Sequence, residues 1–136
     1  MKIHIISSIS FYDRFPGKKS SLEKLGHEVT LPHTADTPNI ELEAWSNGIE
    51  AHARFVRECF EDSEEKIANA DAVYLLNLEK HGIAGYVGGA TLIELYIAYR
   101  AGKKIFLEND VPAGSMYDEI MGFMPTISHG DLTEIK

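Results

Sequence analysis

The fold is decided by the stretch Asp71-Ala-Val-Tyr-Leu-Leu-Asn77, which leads into the glycine-rich segment 78–90 and then into Thr91-Leu-Ile-Glu-Leu-Tyr-Ile-Ala-Tyr-Arg-Ala101. Residues 71–77 are apolar on both faces, which is typical of a central strand in a parallel sheet. Residues 91–101 have the composition of an apolar helix, and Gly102 follows as its stop. A buried strand, a glycine loop and a helix in succession predict one unit of an α/β domain.

Shorter segments on both sides extend this pattern. Strands are predicted at 3–9, 27–31, 104–107 and 126–128, and helices at 13–25, 41–69 (with a break near Gly48) and 115–122. Residues 32–40 are predicted to form a loop. The alternation favours an α/β three-layer sandwich with a central, mostly parallel five-stranded sheet of the flavodoxin or Rossmann-like kind. In such a fold the ligand crevice lies at the carboxyl ends of the strands.

Length, charge and cysteine content exclude several classes of protein. The chain has 136 residues, and we expect residues 1–136 to form a single domain. A net charge of −8 argues against binding of nucleic acid polymers or anionic membranes. One cysteine excludes an intramolecular disulfide, and the apolar run at the N-terminus is too short for a signal peptide or a membrane span. A cytoplasmic protein is therefore expected.

Glu94 has two interpretations, and they do not exclude each other. Thr91-x-x-Glu94 spells a capping box, in which the glutamate bonds back to the N-cap backbone N–H. A carboxylate in the first turn of this helix would also be aimed at the crevice, where burial raises its pKa and the helix dipole lowers it. Such a group can serve as a nucleophile or a base. The glycines before it allow backbone N–H groups to approach a phosphate or a sugar.

Four segments carry a resemblance to a known family: Leu22-Glu-Lys-Leu-Gly-His-Glu-Val29, Ala70-Asp-Ala-Val-Tyr-Leu-Leu-Asn77, Gly85-Tyr-Val-Gly-Gly-Ala-Thr-Leu-Ile-Glu94 and Gly102-Lys-Lys-Ile105. They resemble the nucleoside 2-deoxyribosyltransferase-like superfamily, which includes the 2'-deoxynucleoside 5'-monophosphate N-glycosidases. The resemblance covers nearly the whole chain and is most specific in residues 70–105. It implies hydrolysis or transfer at the N-glycosidic bond of a nucleoside, a deoxynucleoside or its 5'-monophosphate.

The resemblance implies roles for three residues in catalysis. Glu94 matches the family's nucleophile, which attacks C1' of the sugar and forms a glycosyl-enzyme. The second carboxylate of the family falls at Ser63, so its neighbour Asp62 is the candidate acid. In phosphate-binding members of the family, a tyrosine on the first strand forms a hydrogen bond with the nucleophile. His4 occupies the matching position in this chain and could orient Glu94 or move a proton.

The resemblance also implies a set of residues that bind substrate. Strand-end residues 7–10 lie where the family's first loop meets the sugar phosphate, and the glycine loop offers backbone N–H donors. Two tyrosines could stack on a base, and the asparagine that ends the central strand could bind ligand or tie the loop down. The predicted set is Ser7, Ser8, Ile9, Ser10, Tyr12, Asn77, Tyr86, Gly88, Gly89, Ala90 and Thr91.

No cofactor and no metal site are predicted, because the six histidines show no metal-ligand spacing. The expected partners are a small nucleoside or nucleotide and, from the resemblance, further copies of the chain in a homodimer or a higher homo-oligomer. Two alternatives stay open. One is a noncatalytic nucleotide-binding or sensor module, since Ser63 replaces the second carboxylate. The other is a cytokinin-type nucleoside-monophosphate phosphoribohydrolase. The segment Gly88-Gly-Ala-Thr-Leu-Ile-Glu94 resembles the Gly-Gly-x-Gly-Thr-x-x-Glu motif of that family, but it lacks the inner glycine of the motif.

Overall fold

The sheet contains five strands, and every pair of neighbours in it is parallel. A computed structural model describes residues 1–37 and 39–136. The strands lie in the order β2-β1-β3-β4-β5, which is the flavodoxin-like order. The predicted five-stranded α/β sheet is confirmed, and it is wholly rather than mostly parallel. The strands are β1 (Lys2–Ile6), β2 (Glu28–Thr30), β3 (Ala72–Leu75), β4 (Lys104–Leu107) and β5 (Thr126–Ile127).

In the residues that the structure describes, five α-helices and three short 3₁₀ helices accompany the strands, and the last 3₁₀ helix follows β5. Gly48, with φ +99°, separates α2 from α3 at the predicted break. The predicted loop 32–40 contains a 3₁₀ helix and the first residue of α2, and its Pro38 lies outside the described residues. The α-helices are α1 (Phe15–Glu23), α2 (Ile40–Ser46), α3 (Ile49–Ala68), α4 (Gly89–Arg100) and α5 (Tyr117–Gly122), and the 3₁₀ helices span Ile9–Arg14, His33–Asp36 and Leu132–Glu134.

Side chains are buried on both faces of the sheet, as a three-layer sandwich requires. On one face Ile3, Ile5 and Tyr74 pack with Phe15 and Leu22 of the α1 layer. On the opposite face Ile6, Val73 and Leu75 pack against apolar residues of α3, α4 and α5. The alternation along β1 and β3 follows from the period of two in a strand.

The first strand is shorter than predicted, and the difference opens the functional edge of the sheet. The predicted strand 3–9 ends at Ile6. The Ser7 hydroxyl then donates a 2.6 Å hydrogen bond to the carbonyl of Leu76, and a 3₁₀ helix begins at Ile9. Because the sheet order reverses between β1 and β3, the loops that follow these two strands separate and leave a crevice at their carboxyl ends.

In the described part of the chain, no helix is both long and apolar enough to cross a membrane.

Candidate active site

A cavity of about 250 Å³ opens at the carboxyl ends of β1 and β3. Its volume lies just below the usual range for small-molecule sites, and its walls mix apolar and ionisable side chains. Most of its lining comes from the loop after β1, the 3₁₀ helix after β2, the loop after β3, the inner face of α3 and the first turns of α4, and α1 and α2 contribute one residue each. The lining includes Ser7, Ser8, Ile9, Phe15, His33, Glu41, Phe55, Cys59, Asp62, Ser63, Lys80, Tyr86, Gly88, Gly89, Ala90, Thr91 and Glu94.

Glu94 is a buried carboxylate in the wall of this cavity. It is 8% exposed, and Ser63 Oγ donates a 2.7 Å hydrogen bond to its Oε2. The pKa of Glu94 is raised to about 7, because the effect of burial, with a smaller contribution from the nearby Asp62 carboxylate, outweighs the hydrogen bond from Ser63 that lowers it. A carboxyl group that titrates near neutral pH inside a cavity is typical of a functional site.

The capping-box prediction for Glu94 is wrong. Helix α4 begins at Gly89 with Gly88 as its N-cap, so Thr91 is already inside the helix and Glu94 lies in the second turn rather than the first. The Glu94 side chain instead crosses to α3 and meets Ser63. The physical reason is that Gly88 adopts the extended conformation of an N-cap and the helix starts directly after it.

The first turn of α4 and Lys80 form an end of the cavity that suits an anion. No side chain of the described residues caps α4, and Gly88, Gly89 and Ala90 line the cavity. Uncapped N–H groups and the helix dipole attract negative charge. The ammonium of Lys80 donates to Ser8 Oγ at 3.2 Å and lies 5.1 Å from the centre of the Tyr86 ring. Sequence reasoning missed Lys80, although a lysine in the loop after the central strand is a usable signal.

Asp62 lines the cavity, but its environment is the opposite of what the predicted acid needs. Its Oδ2 accepts from Lys66 Nζ at 3.0 Å and from the His33 backbone N–H at 3.2 Å, and it lies 3.2 Å from His33 Nδ1. Burial raises the pKa of Asp62, but the hydrogen bonds from Lys66 and His33 outweigh it, so the pKa is lowered overall. A carboxylate held in its ionised form has no proton to give, and this corrects the predicted role.

His4 does not contact Glu94. Its ring is fully buried on β1, outside the cavity lining, and its Nδ1 lies 2.9 Å from Thr30 Oγ1 on β2. Burial and the nearby Lys66 ammonium lower the pKa of His4 to about 4. The ring is therefore neutral at neutral pH, and the predicted roles of orienting Glu94 or moving a proton are not supported.

Asn77 ties loops together instead of facing the cavity. Asn77 is fully buried. Its side chain accepts a 2.9 Å hydrogen bond from the Asn109 backbone N–H and donates a 2.9 Å hydrogen bond to the Asn109 carbonyl. It also donates to the carbonyl of Gly85 at 3.3 Å. The sequence left two roles open for Asn77, binding a ligand and tying the loop down, and these hydrogen bonds support the second. Ser10 and Tyr12 also lie outside the cavity lining, although the Ser10 hydroxyl is 2.8 Å from Ser8 Oγ.

One wall of the cavity is apolar and includes a thiol that sequence reasoning did not assign to the site. Phe15, Phe55, Val56 and Phe60 supply its carbon surface. Burial raises the pKa of Cys59 to about 11, with smaller contributions from carboxylates that include Glu94. Cys59 is therefore a neutral thiol that packs, not a nucleophile.

Within residues 1–37 and 39–136, no three His, Cys, Asp or Glu side chains are grouped to hold a metal ion.

Comparison with solved structures decides which fold this is. A 2-deoxyribosyltransferase from Bacillus psychrosaccharolyticus matches 86% of this chain and 80% of its own, with a TM-score of 0.57 and 21% identity. This chain has the fold of a 2-deoxyribosyltransferase. A CMP N-glycosidase from Clostridium botulinum, BcmB, matches 99% of this chain and 98% of its own, with a TM-score of 0.54 and 15% identity. The resemblance in the sequence is thereby confirmed at the level of the fold. No family model matches the sequence. No curated protein matches it either.

Proposed function

We propose that this chain cleaves the N-glycosidic bond of a nucleoside or a nucleoside 5'-monophosphate, with Glu94 as the nucleophile. The observation that carries the proposal is the buried Glu94 carboxyl group, whose pKa is raised to about 7, in the wall of a cavity at the carboxyl edge of a parallel sheet. The shared fold of a 2-deoxyribosyltransferase and a CMP N-glycosidase supports the same class of chemistry.

The chemistry would follow the double displacement of a retaining glycosidase. A carboxylate oxygen of Glu94 attacks C1' of the sugar, and the C1'–N bond breaks with its electron pair moving to the base nitrogen. The base leaves with a proton supplied by a second group, and the sugar stays bound to Glu94 as an ester. Water then attacks C1' and releases the sugar, or a second base does so and forms a new nucleoside. Ser63 would hold the Glu94 side chain in place through its 2.7 Å hydrogen bond.

The substrate class follows from the two ends of the cavity. At one end, the uncapped N-terminus of α4 and the Lys80 ammonium favour an anion such as a 5'-phosphate. The apolar wall, with Phe15, Phe55 and Phe60, suits the face of a nucleobase. This arrangement favours a nucleoside 5'-monophosphate over a free nucleoside.

Release of free base tests the proposal. The protein would be incubated with ribo- and deoxyribonucleosides and with their 5'-monophosphates, and the products separated by chromatography. Addition of a second base distinguishes transfer from hydrolysis. We expect release by the wild type and by Glu64→Gln, an exposed acidic residue on the same helix as Ser63, and none by Glu94→Gln. Release that survives in Glu94→Gln would contradict the proposal.

A second candidate is a nucleotide-binding module without turnover, and one observation favours it. Ser63, not a carboxylate, is the residue of α3 that contacts Glu94, so the two-carboxylate arrangement of a retaining glycosidase is absent from this contact. In that case a nucleoside 5'-monophosphate would raise the melting temperature without any release of base. A phosphoribohydrolase would instead act on ribonucleoside monophosphates within the same panel.

Assembly into a homo-oligomer remains part of the proposal. It rests on the resemblance in the sequence, and sedimentation velocity of the purified protein tests it. A monomer at assay concentration would count against this part of the proposal.

A further inference from the structure

The cavity holds a second pair of chemically active side chains, His33 and Asp62, that the nucleophilic step does not use. His33 begins the 3₁₀ helix that follows β2, and Asp62 lies on α3. The Nδ1 atom of His33 lies 3.2 Å from Asp62 Oδ2, and the backbone N–H of His33 donates to the same oxygen. Both residues line the cavity together with Glu94.

We propose that His33, oriented by Asp62, is the group that gives a proton to the departing base. This inference rests on the proposed function, because it names the acid for the same reaction. The contact with Asp62 fixes which ring nitrogen faces the carboxylate, so Nε2 points away from Asp62. Within the described part of the chain, Nε2 has no hydrogen-bond partner, which leaves it available to a substrate. Asp62 is a positioning residue here, as the carboxylate is in other His–carboxylate pairs.

The other ionisable side chains in the lining are less suited to this role. Lys66 and His33 keep Asp62 ionised, and the Cys59 thiol, whose pKa is about 11, is a weak acid. The Lys80 ammonium donates a hydrogen bond to Ser8 Oγ at the end of the cavity that suits an anion. Glu41 lies 3.3 Å from His52 and belongs to the rim formed by α2. Compared with these four side chains, a histidine held by a carboxylate is better suited to donate the proton.

Proton transfer by His33 balances the reaction in both halves. As the C1'–N bond breaks, the imidazolium of His33 passes its Nε2 proton to the base nitrogen that receives the electron pair. His33 becomes neutral, and the Glu94 oxygen forms its bond to C1'. In the second half, the neutral imidazole takes a proton from the attacking water as its oxygen bonds to C1'. The bond from C1' to Glu94 breaks, and both residues return to their starting states.

Two substrates that share one sugar and differ in leaving group test the inference. One is the nucleoside or nucleotide from which the wild type releases base, and the other is the 4-nitrophenyl glycoside of the same sugar. A base departs poorly without a proton, whereas 4-nitrophenolate departs unprotonated. We expect His33→Gln to lower kcat about a hundredfold on the natural substrate. On the 4-nitrophenyl glycoside we expect less than about a threefold change.

Asp62→Asn gives a second readout that a merely structural role would not produce. It should lower kcat on the natural substrate with little change in KM. When it is combined with His33→Gln, its only further effect should be a shift of the acid limb to lower pH, because the Asp62 charge raises the pKa of Glu94. His129→Gln is the matched control, because His129 Nε2 pairs with Asp110 Oδ1 at 2.8 Å on the surface, outside the cavity lining. We expect it to leave both substrates unaffected.

The outcomes separate the two proposals. Equal losses on both substrates in His33→Gln, with base release still dependent on Glu94, would overturn the role of His33 alone. No release from any substrate by the wild type would overturn the proposed function and the role of His33 with it. A loss confined to the natural substrate would support both.

Discussion

Ser63 Oγ donates a 2.7 Å hydrogen bond to Oε2 of Glu94, and this contact joins helices α3 and α4 across the wall of the cavity. A hydrogen bond to a carboxylate stabilises its ionised form, whereas burial destabilises it. The pKa of Glu94, about 7, is the net result of the two effects together with the nearby Asp62 charge. Ser63 therefore lowers the pH at which the buried Glu94 carboxyl group ionises.

Removal of this hydrogen bond should shift the pH profile of the reaction. In Ser63→Ala the ionised form of Glu94 loses a donor, so its pKa rises further. We expect the acid limb of kcat/KM to move to higher pH by about one unit, since a hydrogen bond to a charged group contributes about 1.5 kcal/mol or more. Ser20→Ala, which removes an exposed hydroxyl on α1, is the control. An unchanged acid limb in an active Ser63→Ala variant would show that Glu94 does not set it.

The raised pKa of Glu94 should also be measurable as a cost in stability. Because the pKa rises from 4.5 in the unfolded chain to about 7 in the folded one, the folded state binds more protons between these values. Its stability therefore falls as pH rises through this window. Glu94→Gln removes the buried charge, and we expect it to be more stable than the wild type by about 3 kcal/mol at pH 8, with the gain lost near pH 4.5.

Urea denaturation at the two pH values measures this difference. The titration of His4, whose pKa is lowered to about 4 by burial and by Lys66, is common to both proteins and cancels when they are compared. Glu64→Gln, an exposed site on α3, is the control and should show little change at either pH. A stability gain in Glu94→Gln that does not depend on pH would contradict the assigned pKa.

Two glycines of the loop after β3 should respond differently to alanine. Gly82 and Gly85 both have positive φ, at +73° and +70°. A Cβ at Gly82 meets nothing within 4 Å, whereas one at Gly85 would lie 2.3 Å from the Asp110 carbonyl oxygen. We expect Gly82→Ala to cost about 1 kcal/mol for its backbone conformation alone. Gly85→Ala should cost about 2 kcal/mol more, because the loop must move away from Asp110.

Chemical denaturation of the two glycine variants checks this order. Gly85→Ala should also reduce turnover, since the same loop supplies Lys80 and Tyr86 to the cavity lining and is held to Asn109 through Asn77. Equal stability losses in the two variants would mean that the loop is not held tightly against residue 110.

Lys80 should distinguish a 5'-monophosphate from a free nucleoside. Its ammonium donates to Ser8 Oγ, and both residues line the cavity together with the uncapped first turn of α4. The Lys80→Met variant keeps the length of the side chain but removes the charge. We expect KM for a nucleoside 5'-monophosphate to rise roughly tenfold to a hundredfold, and KM for the free nucleoside to stay unchanged. Lys24→Met on the surface is the control. Equal effects on both substrates would place the phosphate elsewhere.

The parallel sheet was predictable from the sequence because its signals are local. The apolar run at 72–76 and the glycines at 26, 48 and 102 mark strands and helix ends that the structure retains. The start of α4 was not predictable in the same way. Gly88 and Gly89 permit several backbone conformations, and Thr91-x-x-Glu94 fits a capping box as well as an interior turn.

The partners of the candidate site depend on contacts between distant segments. Position 63 could be counted from the sequence, but the hydrogen bond from Ser63 to Glu94 spans 31 residues. The contact between Asp62 and His33 spans 29 residues, and together with Lys66 it lowers the pKa of Asp62 against the effect of burial. His33 nevertheless had a signal: it follows β2 directly after Pro32, at the edge of the sheet where ligands bind.

Trapping of the glycosyl-enzyme tests the central claim most directly. A 2-fluoro-substituted sugar slows both halves of the reaction, and a reactive leaving group restores the first half, so the ester accumulates. Intact-mass and peptide mass spectrometry would be applied to the wild type and to Glu94→Gln after incubation with such a substrate. We predict one added sugar per chain on the peptide that contains Glu94, and none in the variant. Turnover by the wild type without any adduct, or an adduct on another residue, would contradict the assignment of Glu94 as the nucleophile.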